Sequence, residues 1–136
     1  MKNVIMMGVI AISIVVISSC KKNDDKTITA TATPSATIAI SSPTATSIYK
    51  HGDTMHISAV INGDVKLHGY KVAVVDIVTG DTVFHADSHT HATTLNVEEK
   101  WLCACTSETD LRLYISSAID HDGLEVVKTM DLKAIP

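Results

Sequence analysis

An all-β fold is what this sequence predicts, on three observations. Apolar residues recur at every second position in several short runs, and turn-forming residues separate those runs. In addition, no window of about 11–18 residues carries a helical period.

The first strand is expected at residues 36–40, with Pro34 and Pro43 as its bounds. Proline cannot donate to a ladder and so marks an edge. Residues 54–62 alternate Met55, Ile57, Ala59 and Ile61 against His56, Ser58 and Val60, the period of a half-buried strand. Asn62, Gly63 and Asp64 are expected to end it. Residues 67–78, rich in Val and Ile, stop at Thr79, Gly80 and Asp81, a tight-turn signal between β-prone runs. Residues 82–86 make the return strand, and 93–97 a short strand ending near Glu98, Glu99 and Lys100. Residues 110–119 alternate Leu111, Leu113, Ile115 and Ile119 against Arg112, Tyr114 and Asp120. Asp120, His121, Asp122 and Gly123 form a turn, and residues 124–132 complete the set. Seven antiparallel strands at turn spacings of about 8–12 residues are the pattern of an immunoglobulin-like β-sandwich.

At 136 residues the chain holds one domain, too short for a large barrel, a two-domain enzyme or a multi-span transporter. Eleven basic against 15 acidic side chains give a net charge of −4 with no basic stripe, which excludes nucleic acid as a partner. The few aromatics (Tyr49, Tyr70, Phe84, Trp101, Tyr114) argue against stacking on sugars or bases. The seven histidines are the anomaly, because they make the charge sensitive to acid or to metal.

Lys2 precedes a largely apolar run over residues 4–17, followed by Ser18, Ser19 and Cys20. A basic start, a short apolar stretch and small residues before a cut are the parts of a secretory signal. The run falls short of the roughly 20 residues that a membrane-spanning helix requires. Lys21, Lys22, Asn23, Asp24 and Asp25 then open a Thr-, Ala-, Ser- and Pro-rich stretch whose first part reads as a tether. The expected organisation is a signal segment over residues 1–19, a modified Cys20 with a tether over 20–34, and a β domain over 35–136.

The order of strands places five histidines at one end of the sandwich. His68 opens the third strand, His85 closes the fourth, His89 and His91 follow in the next connection, and His121 lies in the last turn. Asp87, Asp120 and Asp122 stand beside them, while His51 and His56 fall at the opposite end. In an extended chain, His89 and His91 point the same way about 6.5–7 Å apart, so both rings can converge on one ion. Neutral imidazole with carboxylate nearby suits Zn²⁺ or Cu²⁺, with Ni²⁺ also within its range. Solvated loop histidines would give the same sequence pattern, and His68 alone also fits a partly buried ring bonded to a backbone carbonyl.

Cys103, Ala104 and Cys105 lie at the end away from those histidines. Their spacing allows a small strained disulfide, or two thiolates offered to a soft ion. Trp101 before them is expected to lid the bottom of the core. Enzyme motifs are missing from the sequence: there is no Gly-X-Ser-X-Gly elbow, no glycine-rich phosphate loop and no aromatic-framed glutamate pair. The expectation is a non-enzymatic protein.

Ile17, Ser18, Ser19 and Cys20 resemble the lipobox of bacterial lipoproteins, a resemblance that covers residues 1–20. It implies acylation of Cys20 and a membrane anchor that does not span the bilayer. The adjacent Asp24 and Asp25 resemble the acidic signals that send some Gram-negative lipoproteins to the outer face of the outer membrane; a solvated linker start looks the same. Asp110 and Tyr114 resemble the Asp and Tyr that precede the second cysteine of immunoglobulin domains, with Ser116 at that cysteine position and Arg112 where a small buried residue belongs. Through residues 67–70, 85–91 and 120–123, the remainder resembles small immunoglobulin-like lipoproteins of outer membranes, a group that implies no established activity. The expected function is therefore capture of a divalent transition metal, Zn or Cu, through His68, His85, His89, His91 and His121 on a lipid-anchored envelope protein. The competing expectation is a structural or adhesion module that contacts a protein or glycan through the same loops.

Overall fold

The structure, a computed structural model, describes residues 32–136. The signal-like segment, Cys20 and most of the expected tether lie outside the described residues.

The described chain is all-β. Its six strands are β1 (Ala36–Ser42), β2 (Ile48–Lys50), β3 (Thr54–Asp76), β4 (Thr82–Leu102), β5 (Thr109–Ala118) and β6 (Glu125–Ile135). They belong to one sheet in the order β1-β3-β5-β6-β2, with β4 paired to β3. All pairings are antiparallel except that of β2 with β6.

Strand count is where the sequence expectation of seven separate strands fails. The run at 54–62 and that at 67–78 up to Asp76 belong to one 23-residue strand, and those at 82–86 and 93–97 to one 21-residue strand. The reason lies in the ladder between β3 and β4. Register passes from Asn62↔Thr94 to Leu67↔Ala92, so β3 advances further than its partner; then from His68↔His91 to Tyr70↔Ser88, where β4 advances further. Excess residues bulge out and bend the ribbon, and pairing resumes beyond them. Asp64, at the first irregularity, accepts from Ser35 N at 2.9 Å and Ser35 Oγ at 3.0 Å. Those donors hold its carboxyl below the usual aspartate range and tie the start of β1 to the bend. The three-residue β2, too short to show a period, has no counterpart in the expected strand set.

Bending curls the sheet around a single apolar core. Met55, Ile57 and Ile61 from the first half of β3 share that core with Val72 and Val74 from its second half. Leu111, Leu113 and Ile115 of β5 are fully buried in it, and Trp101 is buried there too, opposite Met55 in the ladder. Strand β5 alternates strictly: Leu111, Leu113, Ile115 and Ser117 point inward. Arg112, Tyr114 and Ser116 therefore point outward, so the likeness to the immunoglobulin Asp–Tyr–Cys pattern falls on the wrong face; a shift of one residue exchanges faces. Arg112 instead makes a two-pronged ion pair with Asp131, its ladder partner on β6, with Nη2 donating at 2.9 Å. That guanidinium keeps the Asp131 carboxyl below its ordinary value.

Candidate functional site

The bend in the β3–β4 ribbon collects histidines. His68 and His91 are direct partners across the ladder, and their ring centroids lie 4.8 Å apart in an edge-on arrangement. His89 stands two residues along β4, its ring 4.9 Å from that of His91 and again edge-on. His121, from the turn between β5 and β6, lays its ring 4.0 Å from His68, tilted by 50°. Four of the five candidate histidines thus form a continuous chain of contacts, His121–His68–His91–His89. His85 does not join them: it faces Asp87, with Nδ1 3.9 Å from the carboxylate, and lies four residues, roughly 13 Å of strand, before His89. His51 and His56 lie outside the cluster, His51 bonded to the backbone near Cys105 and His56 opposite Lys100.

Backbone chemistry explains why the rings meet. Gly69 has a φ of +89°, and a Cβ placed on it would lie 2.0 Å from the Ser88 carbonyl oxygen. Only glycine permits that approach of β3 to β4. Its carbonyl, pointing inward, accepts 2.6 Å from Ser117 Oγ, the one buried polar side chain among the described residues. On the other side, Asp120 accepts from the backbone N–H groups of Asp122 and Leu124, both at 2.9 Å. This wraps the turn around its own carboxylate and presents His121 to His68.

His68 is half-buried while His89, His91 and His121 are exposed. Its Nδ1 is buried without a hydrogen-bond partner. Burial lowers the proton affinity of the ring, and the neighbouring His121, His91 and His89 lower it further, against a smaller opposing pull from Asp120. Both effects disfavour the protonated ring, and the neutral ring is the form that ligates metals. Beside it opens a cleft of about 100 Å³ whose walls include His68, Lys71, Asp87, His89, Ser117 and Glu125.

Among the described residues, no three His, Cys, Asp or Glu side chains are arranged to hold a metal ion. Cys103 and Cys105 are free thiols, and Cys103 is buried in the core rather than on a surface connection.

Sequence reasoning missed Gly69, Ser117, Lys71 and Glu125 as parts of this region. A glycine inside a strand pattern does signal a bulge or a close backbone approach, and Gly69 immediately after His68 carried that signal. Nothing in the sequence marked the other three. No protein-family model matches the chain, and no curated protein matches it.

Proposed function

We propose that this is a lipid-anchored cell-envelope protein whose β domain binds a divalent transition metal, Zn²⁺ or Cu²⁺, through His68, His89, His91 and His121. One observation carries the reading: imidazoles from three distant stretches of sequence lie in successive contact, with centroid separations of 4.0 to 4.9 Å. Nitrogens sharing one tetrahedral ion at about 2.0–2.1 Å stand roughly 3.3 Å apart. Rings in this contact reach that spacing by turning about their side-chain torsions, which the exposed His89, His91 and His121 are free to do. The unpartnered Nδ1 of His68 adds a lone pair or proton that the fold leaves without use. The anchor rests on the lipobox-like Ile17, Ser18, Ser19 and Cys20. The finer fold reading remains an immunoglobulin-like sandwich. Its first layer would be β1 with the first half of β3 and the second half of β4; its second, β2, β6 and β5 with the remaining halves.

Calorimetric titration of the chain with Zn²⁺ and Cu²⁺ tests the metal reading. Micromolar binding is expected, abolished by the paired change His89→Ala/His91→Ala and untouched by His85→Ala. Affinity should weaken in acid, where protons compete for the nitrogens. Absence of heat in the unsubstituted protein would remove the metal and leave the face as a contact surface for protein or glycan. Acyl labelling that persists in Cys20→Ser would dispose of the anchor.

A further inference from the structure

At the other end of β5, about 30 Å of strand from the histidines, Cys103 and Cys105 sit side by side as free thiols. Cys103 is only 1% exposed, and its backbone is held on both sides: its N–H donates to Asp53 O and its carbonyl accepts from Gly52 N, each at 2.8 Å. Cys105 is half-buried, leaving one side of the pair open. Burial pushes the Cys105 thiol above its usual value, and the adjoining Cys103 thiol adds to that. Thr109 acts in the opposite sense, while Asp76 contributes its negative charge. The ring of His51 completes the rim, its Nδ1 3.2 Å from the Cys105 carbonyl oxygen. A carbonyl only accepts, so Nδ1 is the donor in this contact. That is how a backbone carbonyl fixes the tautomer of a histidine ligand.

We propose that Cys103 and Cys105 form a two-thiolate site for Cu(I), separate from the histidine cluster and independent of its reading. Sulfur donors select soft cations, and copper in its monovalent state is satisfied by two of them. The two thiols are in hydrogen-bond contact, Cys103 buried and held by its backbone and Cys105 half-exposed beside it. Binding breaks two S–H bonds, forms two Cu–S bonds and releases two protons to solvent; copper enters and remains as Cu(I), so no electron is transferred. The histidine end, by contrast, offers only nitrogen and oxygen donors, which favour the divalent ions.

Competition between the reduced full chain and bicinchoninate, a chelator coloured when it holds Cu(I), tests the site under anaerobic conditions. The chain should withdraw one equivalent of copper and develop an ultraviolet sulfur-to-copper band. Cys105→Ser should weaken uptake by about 100-fold, whereas Cys20→Ser and His89→Ala/His91→Ala should leave it unchanged. Because Cys103 is packed in the core, the half-exposed Cys105 carries the test, with circular dichroism checking that the variant folds. Failure of the unsubstituted chain to withdraw copper overturns the proposal. So does a folded Cys105→Ser protein that competes as well as the original.

Discussion

The two ends of β5 are built on different principles. At one end, Ser117 and the adjoining turn serve an outward cluster of imidazoles, positioned by a glycine bulge and an aspartate-wrapped turn. At the other, beside Thr109, Cys103 is drawn into the core, its backbone clamped by hydrogen bonds to Gly52 and Asp53, with the half-buried Cys105 packed next to it. The first depends on strand geometry that one methyl group can destroy. The second depends on burial, which many substitutions would leave intact. Polar groups gathered from distant sequence need a device that aims them, whereas apolar burial collects its own members.

The sharpest way to break this contrast is Gly69→Ala. A Cβ 2.0 Å from the Ser88 carbonyl oxygen, at a φ of +89°, cannot be absorbed by a rotamer change. The expected cost is about 4 kcal/mol or more, read as a lowered midpoint in chemical denaturation, together with loss of any divalent-metal binding. A midpoint close to the original would mean that β3 and β4 separate easily at the bend.

Ser117→Ala ranks next. It removes the donor to a buried carbonyl and should cost about 1–3 kcal/mol. Amide exchange should quicken near Gly69 and Ser88 before it changes at Cys103. Equal acceleration at both ends would show that they open together.

The mildest effect is expected from acid. The folded state holds His68 below its reference value of 6.5, so the unfolded chain binds the proton more tightly. Stability is then whole above about pH 6.5 and falls as pH drops from there toward the folded value. Denaturation midpoints at pH 7.5 and 5.5 measure it, and His68→Gln should shrink the difference. Asp64 and Asp131, both held below 3.8 by their donors, lose their contributions only in stronger acid, leaving the interval above pH 5 to the imidazole.

Much of the fold could be read from period-two alternation, since a strand with one buried face must alternate. Met55 to Ile61 and Leu111 to Ile115 announced their inward faces in this way. Continuity across Asn62, Gly63 and Asp64 could not be read. The local signal there is a turn, and what overrides it is pairing with a strand more than twenty residues away. Likewise, the meeting of His68 with His121 follows from strand order, but the tilt of the rings does not. It depends on the close approach of β3 and β4 at Gly69 and on how the Asp120 turn presents its histidine. The depth of Cys103 was hidden for a simpler reason: two cysteines beside polar Thr106 and Ser107 look like surface chain, and only the clamp from Gly52 and Asp53 draws one of them inside.

Among the described residues, strand β4 hydrogen-bonds to β3 alone, so within them its other side carries peptide groups with no ladder partner. Such a margin is a template on which a second polypeptide can grow as an extra strand. Here the strand carries both imidazoles and carboxylates, from His85 through Asp87, His89 and His91 to Glu98 and Glu99. Ionisable groups of this kind penalise stacking of like copies, and their signs change with acidity. The residues that gather at the bend thus also put charge beside that open margin, and charged side chains are one of the devices by which edge strands are kept from pairing with further copies.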